Sequence, residues 1–124
     1  MKKIIWLLAV FSLRLSCNND DKDLPAIAAC DVNNPIEDLD WLKAKAQEIK
    51  DGTSDLAQYF YIEMAEYKGK TVFIGQNCCP YCSSVILVYD CEGKELGSTG
   101  TEILASEISN AKIIFKAPNF SCGP

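Results

Sequence analysis

The sequence predicts an α+β fold, in which one N-terminal amphipathic helix packs on an antiparallel sheet of about four to five strands, stapled by disulfide bonds. The order of the patterns supports this prediction. A helix-spaced apolar stripe comes first, and β-branched and aromatic runs follow it. Six of the seven cysteines lie between residues 30 and 122. The chain has 124 residues, enough for one domain once an N-terminal segment is subtracted.

Residues 1–16 are typical of a signal peptide. Their apolar run is about ten residues, well short of the roughly 20 that span a bilayer. The run ends at Leu13-Arg14-Leu15-Ser16-Cys17, which resembles a bacterial lipobox, although Arg14 replaces the usual apolar residue. We therefore expect Cys17 to be lipidated and to become the mature N-terminus. The alternative is a secretory signal that leaves Cys17 as a spare thiol, which the odd number of cysteines disfavours.

Residues 17–29 are expected to form a disordered polar tether, ahead of a single domain at residues 30–124. The run from Asn18 to Asp23 has no apolar residue to bury. It resembles the acidic signal that directs lipoproteins of Bacteroidota to the outer face of the outer membrane, and a plain polar linker is the alternative. We expect a lipid-anchored protein of the cell envelope, at the outer membrane, facing either the periplasm or the outside.

The charge of the mature chain argues against some functions. Without Lys2, Lys3 and Arg14, nine of the 12 basic residues remain against 17 acidic ones, a net charge of −8. This balance repels phosphate backbones, so no nucleic acid is expected as a partner. The sequence has no histidine, which excludes Ser-His-Asp and Cys-His nucleophile systems.

The segment from Asn34 to Gly52 has the pattern of one helix. Asn34 is a capping residue, Pro35 suits the first helical position, and Glu37 follows the cap by three residues. Apolar residues then recur at spacings of three and four, at Ile36, Leu39, Leu42, Ala46 and Ile49. Trp41 lies at the side of this stripe, where it is expected to cover the edge of the core.

The rest of the domain is predicted to be mainly strand. The Lys68-Gly69 turn should fold the second strand back antiparallel on the first. The segment from Thr101 to Asn110 is predicted to be a short helix. The predicted strands cover Gln58 to Tyr67, Thr71 to Gln76, Val85 to Cys91, Lys94 to Leu96 and Lys112 to Lys116.

Chain reach restricts how the cysteines pair. If Cys82 and Cys91 lie at opposite ends of one strand, about 30 Å separates them, far beyond the reach of a disulfide. We therefore expect one bond within the loop cluster of Cys78, Cys79 and Cys82. Cys30 and Cys122 would then divide between the remaining loop cysteine and Cys91, in an order that the sequence leaves open.

Cys79-Pro80-Tyr81-Cys82 matches the redox motif of glutaredoxins. In that family a helix follows the motif and lowers the pKa of its first cysteine. Here a β-branched run follows, so a structural disulfide is favoured and a thiol-disulfide oxidoreductase using Cys79 and Cys82 is the alternative. We expect no metal and no cofactor, because the cluster lacks a second pair of cysteines and any histidine.

Five segments carry a resemblance: Asn34 to Lys43, Tyr67 to Phe73, the cysteine loop from Cys78 to Cys82, Val88 to Gly93 and Ile113 to Lys116. Together they resemble a family of small Bacteroidota lipoproteins to which no activity is assigned. The resemblance covers most of the mature chain, and it implies an envelope location and supplies no mechanism.

We expect a non-enzymatic binding or interaction module with a protein or small-molecule ligand; a small inhibitor that presents the loop to an envelope enzyme is a further alternative. The predicted contact surface comprises the loop tip and one tyrosine-rich face of the first strand: Pro80, Tyr81, Tyr59, Tyr61 and Tyr67.

Overall fold

The computed structural model describes residues 27–53 and 56–122. Five strands form one antiparallel sheet in the order β4-β3-β2-β1-β5. This confirms the α+β class, with an antiparallel sheet, helix and disulfide bonds. The predicted signal peptide, Cys17 and most of the tether lie outside the described residues. The elements are α1 (Pro35–Asp38), α2 (Asp40–Lys50), β1 (Phe60–Tyr67), β2 (Lys70–Asn77), β3 (Leu87–Tyr89), β4 (Glu95–Ser98) and β5 (Ile108–Lys116).

The helical segment differs from the single N-terminal helix that the pattern predicts. It begins at Pro35, after other described residues, and Leu39 interrupts it with φ −96° and ψ 111°. The Asn34 side chain makes no capping hydrogen bond. Instead the Asn34 N–H donates to the Asp38 carboxylate at 2.9 Å, which closes the first turn. The extended Leu39 then acts as the N-cap residue of α2, and its side chain packs against a buried cluster.

The hairpin of β1 and β2 follows the prediction most closely. Lys68 and Gly69 have φ of 50° and 75°, as a two-residue hairpin turn requires. Pairing runs without a break from Tyr67 opposite Lys70 to Phe60 opposite Asn77. The turn therefore sets the register of the central pair of strands.

The third strand is shorter than predicted, which corrects the assignment of Val85 to Cys91. Residues 82–86 have no regular secondary structure, because the chain needs them to return from the cysteine loop to the sheet. At the other end, the Asp90 carboxylate accepts the N–H groups of Glu92 and Lys94, both at 2.9 Å, and these bonds turn the chain toward β4. The β3 strand pairs with β2 only at Phe73 and Ile74.

Both faces of the sheet carry buried residues, because neighbouring residues of β2 point to opposite sides. On one face, Phe73 forms a buried cluster with residues from α2 and β1: Leu42, Ala46 and Ile62. On the other face, a second cluster contains Ala65, Val72, Ile74, Val88 and Ile103. The site described below lies at the end of this sheet where β2 runs into the cysteine loop.

The prediction of a helix from Thr101 to Asn110 is wrong. The segment holds turns, a 3₁₀ turn at Ala105–Glu107 and the beginning of β5. Ser98 accepts backbone hydrogen bonds from Glu102 and Ile103, and these bonds hold a tight turn in place of a helix. Ile103 is 1% exposed and joins the second cluster, so burial of this one side chain fixes the segment on the sheet.

Candidate functional site

Three disulfide bonds hold the described part of the chain together. They join Cys30 to Cys91, Cys78 to Cys122, and Cys79 to Cys82. This agrees with the expectation of one bond inside the loop cluster, with Cys30 and Cys122 divided between the remaining loop cysteine and Cys91. The structure also gives the pairing that the sequence left open: Cys30 is bonded to Cys91 at the end of the sheet away from the loop, and Cys122 is bonded to Cys78.

The Cys78–Cys122 bond crosses over the chain that leads into β1. The Cys78 N–H donates to the Tyr59 carbonyl at 3.1 Å, and the Ser121 N–H donates to the Gln58 carbonyl at 3.1 Å. The bond therefore joins the end of β2 to the C-terminal tail across the segment between them. The base of the cysteine loop is fixed to the sheet from both sides.

The Cys79–Cys82 bond closes a loop of four residues immediately after this base. The Cys79 N–H donates to the Asn77 side chain at 3.4 Å, and the Cys82 N–H reaches the Cys79 carbonyl at 3.5 Å. Tyr81 at the tip is 90% exposed, and Val85 on the returning chain is 75% exposed. The loop thus holds an aromatic side chain in solvent on a closed turn, and an aliphatic side chain is exposed on the chain that returns from it.

The surroundings of Cys79 differ from those of a glutaredoxin-type thiolate. No helix begins at Cys82, because residues 82–86 are irregular and β3 follows them. In glutaredoxins, the aligned N–H groups of a helix N-terminus lower the pKa of the first cysteine. Residues 83–86 form no helix here and do not supply such groups. What the arrangement provides is a covalent brace for the turn at Pro80 and Tyr81.

The three predicted tyrosines do not form one surface. Tyr59 lies in a 3₁₀ turn before β1, and Tyr61 lies in β1 close to the loop. The Tyr61 ring meets Phe120 of the tail edge-on at 5.6 Å. Tyr67 lies at the other end of β1, about 20 Å along the strand from Tyr61, and packs against the second cluster. Only Tyr59 and Tyr61 adjoin the cysteine loop.

Glu63 has polar partners that the sequence analysis did not predict. It is half-buried and hydrogen-bonds with the side chains of Tyr61 and Gln76. Burial raises the pKa of the Glu63 carboxyl, and these two hydrogen bonds lower it by less. Burial also raises the pKa of Tyr61, with the Glu63 charge as the second cause. An isolated acid in an alternating strand carries no sequence signal of such partners.

Glu63→Gln is expected to stabilise the protein at about pH 7, by a margin that closes as the pH falls to about 4. The folded-state pKa of Glu63 lies above its ordinary value of 4.5, so folding favours the protonated form. The stability contributed by this group is complete below the unfolded pKa and is lost as the pH rises through the folded pKa. Urea unfolding of both proteins across this range measures the margin.

Glu48→Gln, on the exposed side of α2, controls for the loss of one negative charge. A margin for Glu63→Gln that stays constant between about pH 7 and about pH 4 would contradict the prediction, since only a shifted carboxyl makes it depend on pH.

The fold and the loop define a disulfide-stapled α+β domain that displays one closed, exposed turn. No family model, curated protein or solved structure matches this chain. Among residues 27–53 and 56–122, no three acidic or cysteine side chains are grouped closely enough to hold a metal ion. The helices in the same residues are too short and too polar to cross a membrane.

Proposed function

We propose that this chain is a lipid-anchored protein of the bacterial cell envelope whose folded domain binds a protein partner through the loop of residues 79–85. The observation that carries the proposal is the exposure of Tyr81, at 90%, on a turn closed by the Cys79–Cys82 bond. Aromatic side chains are enriched among the residues that dominate the energy of protein interfaces.

The energetics of binding favour such a loop. A flexible loop loses conformational entropy when a partner orders it, and a covalent closure removes part of that cost beforehand. Here the closure stands on a base that is already held by the Cys78–Cys122 bond. Insertion of Tyr81 into a partner's apolar pocket would bury its side chain with little further ordering of the closed turn, and Val85 would add apolar contact area.

A site-specific photocrosslink tests the partner. With p-benzoylphenylalanine in place of Tyr81, irradiation of whole cells is expected to give a discrete adduct whose partner mass spectrometry identifies. Placing the same group at Glu48, on the exposed side of α2, provides the control. The proposal fails if position 81 gives no adduct, or if both positions give the same set of adducts.

The anchor has a separate test. Metabolic labelling with an alkyne fatty acid is expected to mark the protein and to be lost in a Cys17→Ala variant. Labelling that persists without Cys17, or that never occurs, rejects the lipid anchor. Neither result bears on the proposal that the loop of residues 79–85 binds a partner.

A thiol-disulfide oxidoreductase is the second candidate, because the Cys79–Cys82 bond has the spacing of that enzyme class and lies beside an exposed tip. The purified protein should then catalyse reduction of a small disulfide substrate by a dithiol, and Cys79→Ser should abolish the reaction. We expect no catalysis above the uncatalysed rate, since no helix follows Cys82 to stabilise a thiolate. Turnover that depends on Cys79 would overturn the binding proposal.

A further inference from the structure

A cavity of about 710 Å³ lies at the end of the sheet opposite the cysteine loop. Its volume falls within the range of roughly 300–1,000 Å³ that is typical of small-ligand sites. The turn between β1 and β2 forms one wall. The other wall consists of the Cys30-Asp31 turn and the turn after β3, which the Cys30–Cys91 bond joins. Apolar groups of Tyr67, Val72 and Leu96 line it between these walls.

The charges on the two walls are opposite and separate. Lys68 and Lys70 come from the β1–β2 turn, whereas Asp31, Asp90 and Glu92 come from the facing turns. In the part of the chain that the structure describes, none of these lysines lies within 4.0 Å of one of these carboxylates as an ion pair. An ion pair of that kind is formed elsewhere, between Lys43 and Glu37 of the helical segment. A bound molecule that carries both charges can therefore pair with each wall.

The walls are built from tight turns with fixed backbone. Cys30 and Asp31 have φ of 56° and 62°, and Ala29 and Val32 exchange two backbone hydrogen bonds of 3.0 Å around them. Lys68 has φ of 50° in the facing turn. Non-glycine residues in this left-handed region cost free energy, and such positions are found preferentially at ligand clamps. The two charged walls are thus held in place before any ligand arrives.

The β2 strand brings polar backbone groups to the same place, where the Thr71 carbonyl lies 3.9 Å from Cys91 Sγ. Its pairing with β3 includes Phe73 and Ile74 and stops there, so Thr71 has no β3 residue opposite it. A strand inside a sheet directs alternate N–H and C=O groups to each neighbour. Because Tyr67 and Lys70 close the two-residue turn, the polar backbone groups of Thr71 point away from β1, toward the side of the cavity.

We propose that this cavity binds a short peptide with free termini. The carboxyl terminus lies at Lys68 and Lys70, and the amino terminus lies at the acidic wall of Asp31 and Glu92. The peptide's apolar side chains contact Tyr67 and Leu96. Zwitterionic ends, amide groups and small apolar side chains are the chemistry that these walls complement. This site is separate from the loop at residues 79–85 and does not depend on the function proposed for that loop.

Titration of the full chain, isotopically labelled with ¹⁵N, with the tripeptide Ala-Leu-Ala tests the site. Amide signals of Thr71 and Val72 are expected to shift at millimolar peptide, the range of a weak zwitterionic ligand. Amidation of the peptide carboxylate is expected to weaken binding about tenfold, and Lys68→Gln/Lys70→Gln is expected to weaken it by a similar factor.

Lys94→Gln is the matched control, because Lys94 is an exposed lysine of the β3–β4 turn that does not line the cavity. Tyr81→Ser separates the two sites and should leave the titration unchanged. The proposal is overturned if the Thr71 and Val72 signals do not move. It is also overturned if the amidated and N-acetylated peptides bind as tightly as the free one, since recognition would not then involve the termini.

Discussion

Removing the Cys30–Cys91 bond, in a Cys30→Ser/Cys91→Ser variant, is expected to lower the free energy of unfolding by about 4 kcal/mol. The bond joins residues 61 positions apart, so its loss restores a large amount of conformational freedom to the unfolded chain. It also joins the turn at Asp31 to the end of β3. Urea unfolding without reductant, with the other two bonds intact, measures the loss.

The Cys79→Ser/Cys82→Ser variant is the matched comparison. This bond joins residues only 3 positions apart, and the same entropy argument gives it less than about 2 kcal/mol. We therefore expect the two variants to separate by at least about 2 kcal/mol, with the loop variant close to the wild type. Equal losses of unfolding free energy in the two variants would contradict this prediction, because the Cys79–Cys82 bond would then stabilise the whole fold as well as the turn at Tyr81.

Local signals predicted the central part of the sheet. Lys68-Gly69 has the residue types of a two-residue turn, and that turn alone sets the register of β1 and β2. The bond inside the loop cluster was predictable for a different reason, which is the reach of an extended chain. Even though β3 is shorter than expected, Cys82 and Cys91 remain at opposite ends of the segment that contains it.

The errors arose where long-range contacts outweigh local preference. Leu39 fits a helical stripe, but its packing against the first cluster and the Asp38 hydrogen bond end the helix there. Ile103 fits a short amphipathic helix, yet its burial against the second face of the sheet holds the chain in a turn. In both places the deciding partner is distant in sequence or is a backbone group, so spacing alone could not reveal it.

The two proposed sites also differ in how much of each could be predicted from local sequence. The closed loop at Tyr81 is contiguous in sequence, so its residues could be named in advance. The cavity draws its walls from three turns near residues 30, 68 and 91, which no motif connects. The pairing of Cys30 with Cys91 joins the first of these turns to the third, and the sequence analysis left that pairing open.

Gly93→Ala is expected to lower the free energy of unfolding by about 3 kcal/mol. Gly93 has φ +84°, and an added Cβ would lie 2.8 Å from Cγ and Cδ2 of Trp41. Trp41 cannot move aside freely, because its indole N–H donates to the Cys91 carbonyl at 2.9 Å. Its ring also packs against Phe73 at 5.6 Å and Tyr89 at 5.7 Å. The cost therefore combines backbone strain of about 1 kcal/mol with the displacement of a packed ring.

Two further variants divide this cost into its parts. Gly100→Ala imposes nearly the same strain, at φ +86°, with nothing within 4 Å of the added carbon, so it should cost only about 1 kcal/mol. In a Trp41→Ala background the collision is absent, and Gly93→Ala should again cost about 1 kcal/mol, giving a coupling of about 2 kcal/mol in the double-mutant cycle. Additive losses at Trp41 and Gly93 would mean that the indole does not rest on this turn.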